Sequence, residues 1–76
     1  GDLGIGEVLN ALPDDTTELG LVGCELDDSA STHIVEFIQR SKTLRMVCVK
    51  DNKFSSDAKI FIRGSTKHLP ACVTIL

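Results

Sequence analysis

Three cysteines and two histidines are the side chains of this sequence best suited to bind a metal ion or to act as nucleophile and base. No Cys-x-x-Cys pair and no His-x-x-x-His pair is present to bring two ligands together. Cys24, Cys48 and Cys72 are also an odd number, whereas disulfide frameworks normally use an even one. We therefore expect free thiols, a cytoplasmic setting, no metal site and no cofactor.

Asp27 and Asp28 are adjacent carboxylates that could serve acid–base catalysis or bind calcium. The Asp-x-Asp-x-Asp-Gly spacing of a calcium loop is absent, and adjacent side chains rarely converge on one substrate atom. Acidic residues before Ser29 complement the positive end of a helix that starts there, and Asp28 or Ser29 could cap it. The pair therefore favours helix capping over catalysis.

His33 and the segment Gly4 to Gly6 are the remaining candidates for chemistry. His33 has only Ser31 and Glu36 as nearby candidate partners, and they are the neighbours that any surface helix offers. The glycine segment lacks the preceding strand and the Lys of a phosphate-binding loop. We expect no catalytic residue, and so no enzyme activity.

The elements that position these residues are encoded by one hydrophobic pattern that occurs twice, first from Leu19 and again from Val47. Leu19 alternates with Leu21, and Val47 with Val49, which is the two-residue period of a short strand with one buried face. Apolar residues at helical spacing follow each strand: Ala30, Ile34 and Ile38, and then Ala58 and Ile62. A strand-plus-helix unit of this length cannot bury its apolar face alone, so the units must stack.

The segments from Leu19 to Leu26 and from Leu44 to Phe54 resemble the leucine-rich repeat, and the 28-residue period resembles its ribonuclease-inhibitor class. This resemblance implies an α/β fold, a short solenoid with parallel strands on one face and helices on the other. In that family a Cys or Asn turns inward after the strand and hydrogen-bonds the backbone of the turn, and Cys24 and Asn52 occupy this position. Thr16 stands where a leading Leu is expected. The alternative is a small two-layer α/β domain.

The expected boundaries follow from this alignment. Strands are predicted near residues 18–22, 45–49 and 72–75, parallel and adjacent in one sheet. A helix over residues 3–12 precedes one repeat at 16–43 and another at 44–71, and a partial strand at 72–76 completes a single domain of residues 1–76. Because the first helix lacks a strand and the last strand lacks a helix, the chain has the pattern of a fragment from a longer array.

Composition restricts the class of partner. The chain has 76 residues, 42% of them hydrophobic, with Phe as the only aromatic type, so an aliphatic core is expected. A net charge of −3 does not support a phosphate-binding surface, which argues against a nucleic-acid partner. No apolar run approaches the roughly 20 residues needed to cross a bilayer, so no membrane contact is expected.

The resemblance implies a protein-binding module, whose strands line a concave face and project the residues between the buried positions. The predicted partner-binding residues are Glu18, Val22, Met46, Cys48, Lys50 and Thr74. One alternative is a structural or self-associating domain that exposes Leu9 and Leu12 at one end and Ile75 at the other. A small α/β enzyme is the remaining alternative.

Overall fold

The computed structural model describes residues 2–76, with side chains from residue 4 onward. In these residues three helices alternate with three strands to form a small α/β protein. The sheet is parallel, in the order β1-β2-β3. The elements are α1 Asp2–Ala11, β1 Glu18–Gly20, α2 Asp28–Arg40, β2 Met46–Cys48, α3 Ser56–Gly64 and β3 Val73–Ile75. The predicted positions, parallel direction and adjacency of the strands are confirmed, although each strand is shorter than expected.

Capping side chains determine where α2 and α3 begin. The Asp27 carboxylate accepts a hydrogen bond from the Ser29 N–H at 3.0 Å, so Asp27 caps α2. The predicted caps were Asp28 or Ser29. The Ser55 hydroxyl accepts one from the Ala58 N–H at 3.1 Å, so Ser55 caps α3. Each helix therefore starts directly after an oxygen-bearing side chain that satisfies a first-turn N–H group.

The strand register differs between the two halves of the sheet. Leu19 on β1 pairs with Val47 on β2, which matches the period of the sequence, but Val47 pairs with Thr74 on β3, where that period predicts Ile75. The prediction for Ile75 is therefore wrong by one residue. Backbone hydrogen bonds hold the shifted register, with the Val73 N–H donating to the Arg45 carbonyl at 2.9 Å. Because successive side chains point to opposite faces, the shift moves every residue of β3 to the other face.

The core is aliphatic, as the composition predicts. Leu19 and Val47 from the sheet pack in one cluster with Ala30, Ile34, Ile38 and Ile62 from α2 and α3. Leu9 of α1 belongs to the same cluster and is only 1% exposed. The expectation that Leu9 lies exposed at one end is therefore wrong, because α1 packs on α2 and turns Leu9 inward.

A left-handed turn follows each of the first two strands. Gly23 has φ of 65°, and Asp51, its equivalent in the second unit, has φ of 61°. Glycine adopts this conformation without a steric penalty, and Asp is among the few other residues that tolerate it. The recurrence in the sequence is thus matched by a recurrence in backbone conformation.

No helix within residues 2–76 has the length and apolar character to cross a membrane.

Candidate functional site: the open face of the sheet

The face of the sheet that points away from the helices is left uncovered within the described residues. The strand register arranges it in two rows, Glu18–Met46–Val73 and Gly20–Cys48–Ile75. We call these six residues the open face. The residues between the rows, Leu19, Val47 and Thr74, point toward the helices, since Leu19 and Val47 belong to the core.

The open face is mostly apolar. Val73 is 59% exposed beside the half-buried Met46, and Ile75 is 40% exposed at the end of the other row. Glu18 is exposed at the opposite edge and supplies the only charge in the two rows. Gly20 contributes no side chain and leaves open space above β1. The result is a shallow apolar surface bordered by one carboxylate.

Two of the predicted partner-binding residues are placed differently from expectation. Cys48 was expected to be exposed but is only 9% exposed, because its side chain is short and lies on the central strand beside Ile75. Thr74 was expected on the open face, but the one-residue shift of β3 pairs it with Val47 on the core side. Neither offers much surface to a partner.

The other predicted positions remain available. Glu18 is exposed, Met46 is half-buried, and Val22 and Lys50 are exposed in the turns that follow β1 and β2. The two turns are joined where the Gly23 N–H donates to the Lys50 carbonyl at 3.2 Å. Val22 and Lys50 therefore lie in neighbouring turns and extend the open face at its carboxyl end.

Val73 is the residue of this face that sequence reasoning missed, and Ile75 was expected to be exposed at the end of the array rather than on this face. Their alternation with a polar Thr74 is the usual signal of two buried positions around an exposed one. The backbone pairing of β3 with β2 reverses that pattern. No signal in the sequence indicates the reversal, because it depends on which N–H and C=O groups meet across the sheet.

Asn52 links the two turns through its side-chain amide. Its Oδ1 accepts hydrogen bonds from the N–H groups of Cys24 and Leu26, each at 3.0 Å. Its Nδ2 donates to the carbonyls of Leu21 at 2.7 Å and Val49 at 2.8 Å. The predicted hydrogen bonding to the backbone is confirmed, although Asn52 is half-buried rather than fully buried.

Cys24 does not have the inward side chain that the resemblance implies. Cys24 is exposed, and its thiol lies 3.6 Å from the carbonyl of Val22 in the same turn. Only its backbone N–H takes part in the link between turns, through Asn52. Within the described residues no strand and turn precede β1, so there is no earlier turn that the thiol could bridge.

The sulfur and imidazole groups lie apart. All three cysteines are free thiols, and burial raises the pKa of the Cys72 thiol. The His68 Nε2 lies 3.0 Å from the Ser41 carbonyl, and His33 lies against Gly6, where an added methyl group would come within 3.0 Å of Nδ1. Within residues 2–76, no three His, Cys, Asp or Glu side chains are grouped closely enough to hold a metal ion.

Asp28 has a structural contact. Its carboxylate accepts a hydrogen bond from the Ser55 N–H at 2.8 Å, which connects the start of α2 to the start of α3. Hydrogen bonds from the Ser55 hydroxyl and N–H lower the pKa of Asp28 below its ordinary value of 3.8. The carboxylate therefore stays ionised to a lower pH than that of an ordinary Asp.

Comparison with known proteins identifies no relative. No protein-family model, no curated protein and no solved structure matches the chain. The function is therefore inferred from the open face and from the turns that border it.

Proposed function

We propose that this chain is a protein–protein interaction module, a leucine-rich-repeat segment that binds a protein partner through the open face. The observation that carries the proposal is the exposure of Val73 and Ile75 on a sheet face that the helices leave uncovered. Contiguous apolar surface bordered by polar residues is typical of protein contact sites. A flat face of this kind suits a protein surface better than a small molecule, whose sites are usually concave.

Three features support the repeat assignment. β1 and β2 pair at the interval found in the sequence, with Leu19 beside Val47. Gly23 and Asp51 share a left-handed conformation at the same interval. Asn52 hydrogen-bonds the backbone of both turns, which is the role that the leucine-rich-repeat resemblance assigns to it. The shorter interval between β2 and β3 is a departure from strict repetition.

The chemistry of the open face also describes its partner. The partner would place apolar side chains against Met46, Val73 and Ile75, because burial of these groups supplies the favourable free energy. Glu18 at one edge and Lys50 in the turn after β2 would contact groups of opposite charge at the rim, where they set orientation more than affinity. A net charge of −3 gives no electrostatic attraction for a nucleic-acid backbone.

The test compares two matched pairs of substitutions on opposite faces. Val73→Lys with Ile75→Lys charges the open face, and Ile60→Lys with Phe61→Lys charges two exposed apolar residues of α3. Wild type and both variants are immobilised and incubated with a cell lysate, and the proteins that each captures are quantified by mass spectrometry. We expect a set of proteins that wild type and the α3 variant retain and the open-face variant loses.

Thermal melting of each variant verifies that it is folded before capture is compared. Proteins lost by the α3 variant but retained by the open-face variant would assign binding to the helices. Equal capture by all three chains would show that the open face has no role in binding.

A further inference from the structure

The charged residues are segregated along the chain. All eight Lys and Arg residues lie at or after Arg40, whereas nine of the eleven Asp and Glu residues precede it. Nine acidic and no basic residues give positions 1–39 a formal charge of −9, and eight basic and two acidic residues give positions 40–76 a charge of +6. The strands lie side by side in chain order, so this asymmetry becomes a separation in space.

The basic end of the molecule is the side of α3 that faces away from α2. On α2, Val35 and Gln39 line the groove shared with α3. Their equivalents in the next unit are Arg63 and Lys67, and both are exposed. Lys59, one helical turn before Arg63, is partly exposed on the same side. We call Lys59, Arg63 and Lys67 the basic end.

The acidic end lies in the turn between α1 and β1 and on β1 itself, the edge strand opposite β3. Asp14 and Asp15 are exposed in the turn between these elements, and Glu18 is exposed on β1. Helix α1 turns Asn10 toward α2, where its Oδ1 accepts a hydrogen bond from the Arg40 guanidinium at 2.9 Å. We call Asp14, Asp15 and Glu18 the acidic end.

Both ends also carry a strand with unpaired backbone groups. Within residues 2–76, β1 and β3 each pair with β2 alone, so each has one free edge. The strands are parallel, so β1 of one copy placed beside β3 of another would continue the sheet in the same direction. Backbone groups and charges are therefore complementary at the same two surfaces.

We propose that copies of this chain associate head to tail, with the acidic end of one copy on the basic end of the next. The contact uses the two edges of the sheet and involves only Glu18 of the open face, so Met46, Val73 and Ile75 stay free for a partner. It joins two different surfaces, and each added copy leaves one of each unoccupied, so the assembly grows beyond a dimer. Attraction between exposed charges accelerates the encounter and is screened by salt.

The first experiment is sedimentation velocity on the whole chain across a dilution series at low and high salt. At about 20 mM NaCl, where screening is weak, we expect a mass that rises with concentration past that of a dimer. At about 0.5 M NaCl we expect the monomer at the same concentrations. A chain that is monomeric at low salt throughout, that stops at a dimer, or that associates equally at both salt concentrations, contradicts the proposal.

The second experiment reverses charge at one end at a time. Arg63→Glu with Lys67→Glu makes both ends acidic, and Asp14→Lys with Asp15→Lys makes both ends basic. Each variant alone should associate roughly tenfold or more weakly than wild type, because like charges then meet. An equimolar mixture of the two should recover association, since every acidic end again finds a basic one.

The matched control for Arg63→Glu with Lys67→Glu is Lys42→Glu with Lys53→Glu, which lowers the net charge by the same amount at exposed positions before and after β2. This variant should associate within about twofold of wild type, and thermal melting verifies that every variant is folded. Loss of association in the control would show that net charge rather than the two ends governs assembly. Failure of the mixture to recover association would show that opposite charges at the two ends do not hold the copies together.

Discussion

At the scale of single residues, Asn52 contributes most to the link between the two turns. One amide group accepts from two N–H groups of the first turn and donates to carbonyls of both turns. A thiol offers only weak hydrogen bonds, and the exposed Cys24 makes no such link. The joining of neighbouring units therefore depends on a side chain that carries both a donor and an acceptor.

Replacing Asn52 by Leu should lower the free energy of unfolding by about 2 to 4 kcal/mol, because it leaves several partly buried backbone groups without partners. Asn52→Asp should also destabilise at pH 7, since it keeps the acceptor but places a carboxylate oxygen against the carbonyls of Leu21 and Val49. Its effect should diminish at pH 3, where a protonated carboxyl can donate. Urea denaturation of wild type and both variants measures their free energies of unfolding.

The control for Asn52 is Cys24→Ala, which removes an exposed thiol from the neighbouring turn and should change stability by less than about 0.5 kcal/mol. An Asn52→Leu variant that unfolds at the wild-type urea concentration would show that the turns are held by backbone contacts alone.

At the scale of elements, the starts of α2 and α3 are connected. Asp27 caps α2, Ser55 caps α3, and the Asp28 carboxylate accepts a hydrogen bond from the Ser55 N–H. The first turn of one helix thus fixes the cap of the next. Asp27 and Asp28 are adjacent carboxylates that could suggest catalysis, but each makes a different structural contact.

This connection predicts a specific dependence of stability on pH. The pKa of Asp28 is lower in the folded state than its ordinary 3.8, because the Ser55 hydroxyl and N–H stabilise the carboxylate. A carboxyl of this kind contributes stability above its unfolded pKa and loses that contribution as the pH falls through its folded pKa. Asp28→Asn should therefore be less stable than wild type at pH 6, and the difference should disappear below pH 3.8 as the folded-state carboxyl is protonated.

Urea denaturation between pH 6 and pH 2.5 measures this difference. Asp15→Asn removes the same charge from an exposed turn and controls for net charge. A stability difference between Asp28→Asn and wild type that stays constant over this range would mean that the ionised form of Asp28 contributes nothing to the contact with Ser55.

At the scale of the whole molecule, a small aliphatic core supports the fold. The chain has 76 residues and neither Trp nor Tyr, so stability depends on branched side chains such as Ile34, Ile38 and Ile62, which are 0% exposed. Small domains bury a smaller share of their surface than large ones and are correspondingly marginal in stability. Truncation of one core side chain therefore removes a large fraction of the total free energy of unfolding.

Two isoleucines on neighbouring helices test this point. Ile34→Ala should cost about 2 to 5 kcal/mol, because Ile34 is fully buried between the sheet and the helices and leaves a cavity. Ile60→Ala should change stability by less than about 0.5 kcal/mol, because Ile60 is 67% exposed. Thermal and urea unfolding provide the comparison, and similar losses in both variants would contradict the described core.

The sequence by itself determined the elements, their order and their direction. Alternation at Leu19 and Val47 and helical spacing after each strand are local patterns, so they survive without knowledge of the neighbours. The recurrence of the pattern added the parallel pairing of β1 with β2, and with it the position of Asn52 between two turns. These features follow from residue type and spacing alone.

Only the tertiary structure decided the register of β3 and the exposure that depends on it. Thr74 faces inward and Val73 and Ile75 outward because the Val73 N–H meets the Arg45 carbonyl, a contact between residues far apart in the chain. A shift of one residue between α3 and β3 barely changes the hydrophobic pattern of the sequence, but it turns every side chain of the strand to the opposite face of the sheet. Cys48 and Leu9 are buried for a related reason, because burial depends on what packs beside a residue as well as on its place in the chain.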